Sequence, residues 1–180
     1  MAYISCDIDG VLTDYPNCWL DYLSTCCGKR YSTIEEAKKY EKDYKFFKHK
    51  YRISGHKGLL AVNHDVVDVL SILKYKKKYN IIIATSRPIY DENYPDLFRL
   101  TEMWLEKNSI PFDFLEYKDL SACFVDKYDK LCFHIEDEKR YAIPIAQKGV
   151  RVFLKASYSD DFISDNVVSI YKIDEVLKYV

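Results

Sequence analysis

The segment Asp7-Ile8-Asp9-Gly10-Val11-Leu12-Thr13 places two carboxylates two residues apart, after an apolar run that starts at Tyr3. Where a chain leaves a strand, two such side chains diverge enough to take different tasks. One can serve as a nucleophile, and the other can reach over as acid and base. Gly10 allows the sharp turn that the loop needs. An aspartate pair also attracts a hard divalent cation. Asp-x-Asp-Gly recurs in calcium loops and in ordinary turns, so the segment by itself leaves those readings open.

Two further clusters stand in comparable places. Thr85-Ser86-Arg87-Pro88 directly follows the apolar run at 79–84. A hydroxyl there can donate to a phosphate oxygen, the next backbone N–H groups can do the same, and Arg87 could add a bidentate contact. The alternative is a plain turn containing Pro. Ile135-Glu136-Asp137-Glu138 follows another apolar run. Its carboxylates would complete a Mg²⁺ site with Asp7, and they also suit the first turn of a helix, whose dipole favours acidic residues. A lysine is needed to offset carboxylates plus phosphate. Lys118 follows the run at 112–117, on the same rim, whereas Lys127 and Lys130 read as solvent-facing.

These clusters need a scaffold that brings strand ends together. The apolar runs predict strands at 3–8, 79–84, 112–117, 131–135 and 150–154, with a short sixth at 167–170. The run at 79–84 shows no alternation, as expected of a strand buried on both faces. Asn63 predicts an N-cap for a helix over 63–78, with Val66, Val67, Leu70 and Leu73 inward. Pro95 opens a helix to Lys107 that turns Leu97, Leu100, Trp104 and Leu105 inward, and a third helix over 138–148 ends at Gly149. Strand–helix alternation at this spacing predicts an α/β fold: three layers, Rossmann-like, with a central parallel sheet. In such sheets ligands bind beyond the carboxyl ends of the strands.

Residues 15–62 break the alternation, with helical stretches at 17–27 and 33–50, the second dense in Lys, Tyr and Phe. The expected organisation is a core of 1–14 and 63–180 with a small helical lid of 15–62. A hairpin packed to the side is the alternative.

Composition bounds the partners. The chain has 180 residues, 48% hydrophobic and 31% charged, enough apolar material for a real core. Lys and Arg total 27 against 28 Asp and Glu, so no basic footprint for nucleic acid exists. No apolar run approaches the roughly 18 residues that a membrane span needs. The N-terminal stretch lacks a basic leader, and six cysteines without metal-ligand spacing read as reduced thiols, so a cytosolic protein is expected.

Taken in order, Asp7-Ile-Asp-Gly-Val-Leu-Thr13, Thr85, Lys118 and Glu136-Asp137 resemble the motifs of the haloacid dehalogenase (HAD) superfamily. The resemblance runs from residue 3 to about 155, and the insert matches the position of that family's C1-type cap. Thr85-Ser86-x-Pro88 and the compact size look most like its 5′(3′)-deoxyribonucleotidase-like members. The resemblance implies a Mg²⁺-dependent phosphatase. Asp7 would attack phosphorus and form an aspartyl-phosphate. Asp9 would protonate the leaving alcohol and then activate water. Thr85 and Lys118 would hold the phosphoryl oxygens, with Ser86, Arg87 and Arg52 near the substrate. Mg²⁺ would be held by Asp7, the Asp9 carbonyl and Asp137, with Glu136 joining directly or through water. The departures are Glu-Asp where the family has Asp-Asp, and a third-motif lysine that is Lys118 or, nearer the acidic pair, Lys127; Lys118 is preferred because it stands at a strand mouth.

Specificity is expected from the insert. Tyr15, Trp19, Tyr44, Phe46 and Phe47 would stack on a base or form the lid's own core, and the hinge at 51–58 brings Arg52 and Lys57 near a phosphate. A nucleoside monophosphate or comparable small ester is the expected substrate. The competing readings are a catalytically silent binding module, a phosphatase for a nucleic-acid end, and a phosphoacceptor receiver domain; the insert argues against the last.

Overall fold

A computed structural model describes residues 2–155 and 165–180. Six strands, β1 (Tyr3–Cys6), β2 (Asn80–Thr85), β3 (Phe114–Tyr117), β4 (Leu131–Glu136), β5 (Arg151–Lys155) and β6 (Val167–Ile170), form one sheet in the order β3-β2-β1-β4-β5-β6. Every pairing is parallel. The order reverses direction at β1 and β4, which creates a crevice beyond their carboxyl ends.

Both faces of the sheet are buried, and the strand residues divide between them. Ile81 and Ile83 join Ile4, Cys6, Phe133, Ile135 and Phe153 in one cluster. Ile82 and Ala84 join Val152 and Leu154 in the other. The first face is covered by α4 (His64–Ser71), α5 (Leu97–Lys107) and a C-terminal 3-10 turn, and the second by α6 (Lys139–Gln147) and the 3-10 turn Cys123–Lys127. The outcome is the expected three-layer α/β/α core.

The insert carries α1 (Asn17–Cys27), α2 (Ile34–Tyr40) and α3 (Tyr44–Ile53). It has its own core of Trp19, Leu20, Leu23, Ala37 and Tyr51. The insert's two ends meet at the first loop, where Asn63 N–H donates to the Leu12 carbonyl at 2.8 Å.

Several local expectations are corrected. The helix expected over 33–50 is two helices, broken at 41–43. There the buried Glu41 carboxylate accepts from Tyr31 Oη at 2.9 Å and from Asp43 N–H at 3.2 Å, so its side chain replaces the next turn of backbone bonding. The helix expected over 63–78 starts as read, with Asn63 Oδ1 accepting from Asp65 N–H at 3.2 Å. It then widens into a π-helical segment, Ile72–Lys76. The first strand ends at Cys6, although Asp7 N–H still bonds to the Ile135 carbonyl at 3.0 Å.

Candidate active site

Asp7 leaves β1 at the crevice and is 4% exposed. Lys118, at the end of β3, reaches across β2 and places Nζ 2.9 Å from Asp7 Oδ1. Its position is fixed from two sides. Lys118 N–H donates to the Thr85 carbonyl at 2.8 Å, and Nζ forms a close ion pair with Glu136 Oε2. Burial disfavours the ammonium, but the Asp7 and Glu136 charges more than offset this and raise its pKa. Lys127, by contrast, is exposed and pairs with Glu116.

Glu136 ends β4 with both oxygens engaged. Oε1 accepts from the N–H groups of Asp137 at 3.0 Å and Glu138 at 3.2 Å. Oε2 faces Lys118 and His134 Nε2, the latter at 3.0 Å. Burial would raise its pKa, yet Lys118 and His134 hold it at about 2. Glu136 is therefore placed to hold Lys118 and the Asp137 loop, with both of its oxygens already engaged. His134 and Ser5 were not legible in advance. His134 Nδ1 lies 2.8 Å from Ser5 Oγ, a contact that exists only because β1 and β4 are neighbours.

Asp137 is different. Its Oδ1 is buried without a hydrogen-bond partner. Oxygens of Asp7, Glu136 and Asp137 lie within 4.8 Å of one another. Burial and the neighbouring carboxylates push Asp137 up to about 9 and Asp7 up to about 7, the latter despite Lys118. Carboxylates crowded in this way fit a hard, oxygen-liking cation such as Mg²⁺. Gly10 makes the approach possible. Its φ is 101°, and a Cβ there would fall inside the Asp137 carboxyl group. Lys155 Nζ donates to the Gly10 carbonyl at 2.9 Å and steadies the turn.

Asp9 faces the cavity between lid and core. Arg87 grips it with two hydrogen bonds, Nε to Oδ2 at 3.0 Å and Nη2 to Oδ1 at 2.7 Å. Lys57, from the lid hinge, donates to Oδ2 at 2.8 Å. Burial alone would raise its pKa. The Arg87 and Lys57 charges more than offset it and hold the carboxyl well below the usual range. Arg87, expected on a substrate phosphate, is thus committed to Asp9, because a planar guanidinium pairs best with the nearest carboxylate fork. Thr85 is fully buried, and its Oγ1 accepts from Arg87 N–H at 3.2 Å.

The cavity measures about 790 Å³. Its core side includes Asp9, Ser86, Arg87 and Asp137, and its lid side includes Tyr15, Tyr44, Lys48 and Arg52. Arg52 lies in this wall but leans on Tyr94, with Nη1 3.2 Å from the hydroxyl. Of the lid aromatics, Trp19 is fully buried in the lid core, Phe47 packs against that core, and Phe46 is 53% exposed. Only Tyr15 and Tyr44 of the expected five reach the cavity. His56 packs on the Tyr22 and Tyr51 rings rather than facing Asp9.

No protein-family model matches the sequence, and no curated protein does. Solved structures do match. A candidate beta-phosphoglucomutase from Thermotoga maritima superposes with a TM-score of 0.65 at 22% identity, covering 100% of both chains. CbbY from Rhodobacter sphaeroides, in complex with phosphate, gives 0.62 at 13% identity over 98% of this chain and 96% of that one. A chain of the Pnkp1/Rnl/Hen1 complex gives 0.54 at 17% identity, over 89% of this chain and 47% of that one. The likeness is one of fold. Among the described residues, no helix is long and apolar enough to cross a membrane.

Proposed function

We propose that this chain is a HAD-type phosphatase that hydrolyses a small phosphate monoester through an aspartyl-phosphate on Asp7. One observation carries the reading. At the switch point of the sheet, a buried carboxylate has a lysine ammonium 2.9 Å away and an unpartnered carboxylate oxygen of Asp137 close by. Phosphoryl transfer needs this combination of fixed nucleophile and balanced charge more than it needs elaborate bond chemistry. The phosphate bound by CbbY, a neighbour in fold, is in keeping with it.

In the first half-reaction an Asp7 oxygen attacks phosphorus, the ester P–O bond breaks, and the leaving oxygen takes a proton from Asp9. In the second, water attacks phosphorus, Asp9 takes its proton, and the bond to Asp7 breaks to release phosphate. Asp9 as held by Arg87 and Lys57 is ionised, the form needed for the second step. For the first it must gain a proton, and an arriving phosphate weakens the clamp by competing for both cations. Thr85 and Lys118 hold the phosphoryl oxygens. The residues fit Mg²⁺, held by Asp7, Asp137 and the Asp9 carbonyl. When bound, it supplies charge neutralisation of the phosphoryl group.

The aromatic walls of the cavity, Tyr15 and Tyr44, favour a nucleoside as the alcohol half. Stacking on such rings is worth about 1–3 kcal/mol per base. The test is phosphate release from p-nitrophenyl phosphate and nucleoside monophosphates, with Mg²⁺ or EDTA. Release that needs Mg²⁺ and falls at least about 1,000-fold in Asp7→Asn is expected. Asp9→Asn should cost far more on alkyl esters than on p-nitrophenyl phosphate, since an aryl leaving group needs no proton. Equal losses would remove Asp9 from the acid role, and turnover that survives Asp7→Asn would overturn the reading.

A further inference from the structure

The lid wall of the cavity has a charge pattern that the reaction at Asp7 does not use. Tyr44, Lys48 and Arg52 stand four residues apart on α3, so they share one helix face, and all three line the cavity. Lys48 has no carboxylate partner among the described residues. Its ammonium sits over the rings of Trp19 at 4.2 Å, Tyr15 at 5.0 Å and Tyr51 at 5.6 Å, and its one hydrogen bond is to Tyr15 Oη at 3.5 Å. Arg52 also lacks a carboxylate within ion-pair distance and rests on the Tyr94 ring at 5.1 Å. Of the other cations lining the cavity, Lys57 and Arg87 pair with Asp9 and Arg140 pairs with Glu138, while Lys38, on α2, has no ion pair among the described residues.

Two cations on one helix face that both line a cavity, Lys48 among three aromatic rings and Arg52 on one, have no anionic partner among the described residues. Burial and the charges of Lys57 and Arg52 push Lys48 down to about 7, against the opposing effects of Asp9 and Cys18. An anion between Lys48 and Arg52 would remove the repulsion and supply the missing partner. Lys57, on Asp9, and Lys48 both lie over the Tyr51 ring, at 5.3 and 5.6 Å, so the two share one aromatic neighbour.

We propose that Lys48 and Arg52 form a subsite for a second anionic group of the substrate, so that the preferred ester carries a phosphate or carboxylate remote from the phosphoryl group that is cleaved. This deepens, and rests on, the phosphatase reading. It places the substrate among bisphosphates and phosphorylated acids, and it demotes a plain nucleoside monophosphate in favour of a nucleoside bisphosphate.

The test uses matched pairs on the full chain: 5′-AMP against adenosine 3′,5′-bisphosphate, fructose 6-phosphate against fructose 1,6-bisphosphate, and glycerol 3-phosphate against 3-phosphoglycerate. The first two pairs report a second phosphate and the third a carboxylate. At least one pair should show a tenfold or larger preference in kcat/KM for the doubly anionic member. That preference should fall to below threefold in Lys48→Met and in Arg52→Gln, and Lys48→Arg should restore it. Lys48→Met keeps the packing over Trp19 and Tyr51, and circular dichroism checks the fold of each variant. Calorimetric binding of the same pairs to Asp7→Asn reads the subsite without turnover. If no compound is turned over while the binding preference and its loss persist, the phosphatase reading fails and the subsite stands. No preference in either assay, or one that Lys48→Met and Arg52→Gln leave unchanged, overturns the subsite.

Discussion

The floor and the lid wall of the cavity present opposite electrostatic problems. On the floor, Asp7, Glu136 and Asp137 converge within a few ångströms, with the Lys118 ammonium paired to Asp7 and Glu136. On the lid wall, Lys48 and Arg52 have aromatic rings beside them in place of carboxylates. Asp9 lies between, gripped by one cation from each side, Arg87 from the core and Lys57 from the hinge. A floor crowded with carboxylates and a helix face with two cations outside any ion pair are complementary to a ligand that is itself divided: cation and phosphoryl group below, a further anion above. Neither region would be organised in this way by packing alone, since unpaired buried charge costs stability in both.

Ways to break the floor should have the larger effects. Gly10→Ala forces a Cβ into the Asp137 carboxyl and demands φ of 101° from an alanine. The expected result is loss of activity beyond about 100-fold and of about 3 kcal/mol or more in stability, read from phosphate release and urea unfolding. Lys118→Met leaves Asp7 and Glu136 without their shared ammonium and should cost about 3 kcal/mol in the same unfolding experiment.

The excess of carboxylate on the floor also has a sign in pH. Asp7 at about 7 and Asp137 at about 9 hold protons that the unfolded chain, near the usual 3.8, has already released. Through these two groups the folded protein binds more protons, so stability falls as pH rises from about 4 to about 7; above that, Lys48 at about 7 and Lys57 at about 8, both lowered from 10.5, act with the opposite sign. Thermal unfolding of metal-free protein should show this decline, and Mg²⁺ should flatten it, because a bound cation favours the charged forms. Asp137→Asn should flatten it without Mg²⁺. A metal-free profile already flat from about pH 4 to about 7 would show that the floor lacks this strain. The smallest effect sharpens the contrast: Lys48→Met on the lid wall should change stability by less than about 1 kcal/mol, since the ammonium it removes has no ion pair. A loss as large as that of Lys118→Met would erase the distinction between the two regions.

The strands were legible because they are short apolar runs bounded by acidic or hydroxyl-bearing loops, and β2 in particular had nowhere to go but the middle of a sheet. The helix cap at Asn63 and the turn at Gly149 were legible for the same local reason. The break at Glu41 was not. It depends on a carboxylate reaching Tyr31 and the Asp43 N–H, and helical periodicity runs straight through it. The partnership of Arg87 with Asp9 was also hidden. A basic residue after a strand end reads as an anion ligand whether that anion is a substrate or a side chain of another loop. His134 carried no signal at all, because inside an apolar strand it resembles any core histidine until Ser5 and Glu136 are seen on either side of it.

What the sequence determined by itself was the set of strand-end residues: Asp7, Asp9, Thr85, Lys118, Glu136 and Asp137. Each follows an apolar run, which puts them on one rim of a parallel sheet, but it was their order along the chain, resembling the HAD motifs, that marked them as one set. What only the tertiary structure decided is which charges meet. Coulomb interactions and hydrogen bonds act over a few ångströms, and the partners here are separated by tens of residues along the chain: Lys57 and Arg87 from Asp9, Lys118 from Asp7. The order of the strands and the docking of the lid set those distances. They leave Asp137 Oδ1 without a partner on the floor and Lys48 without a carboxylate on the wall.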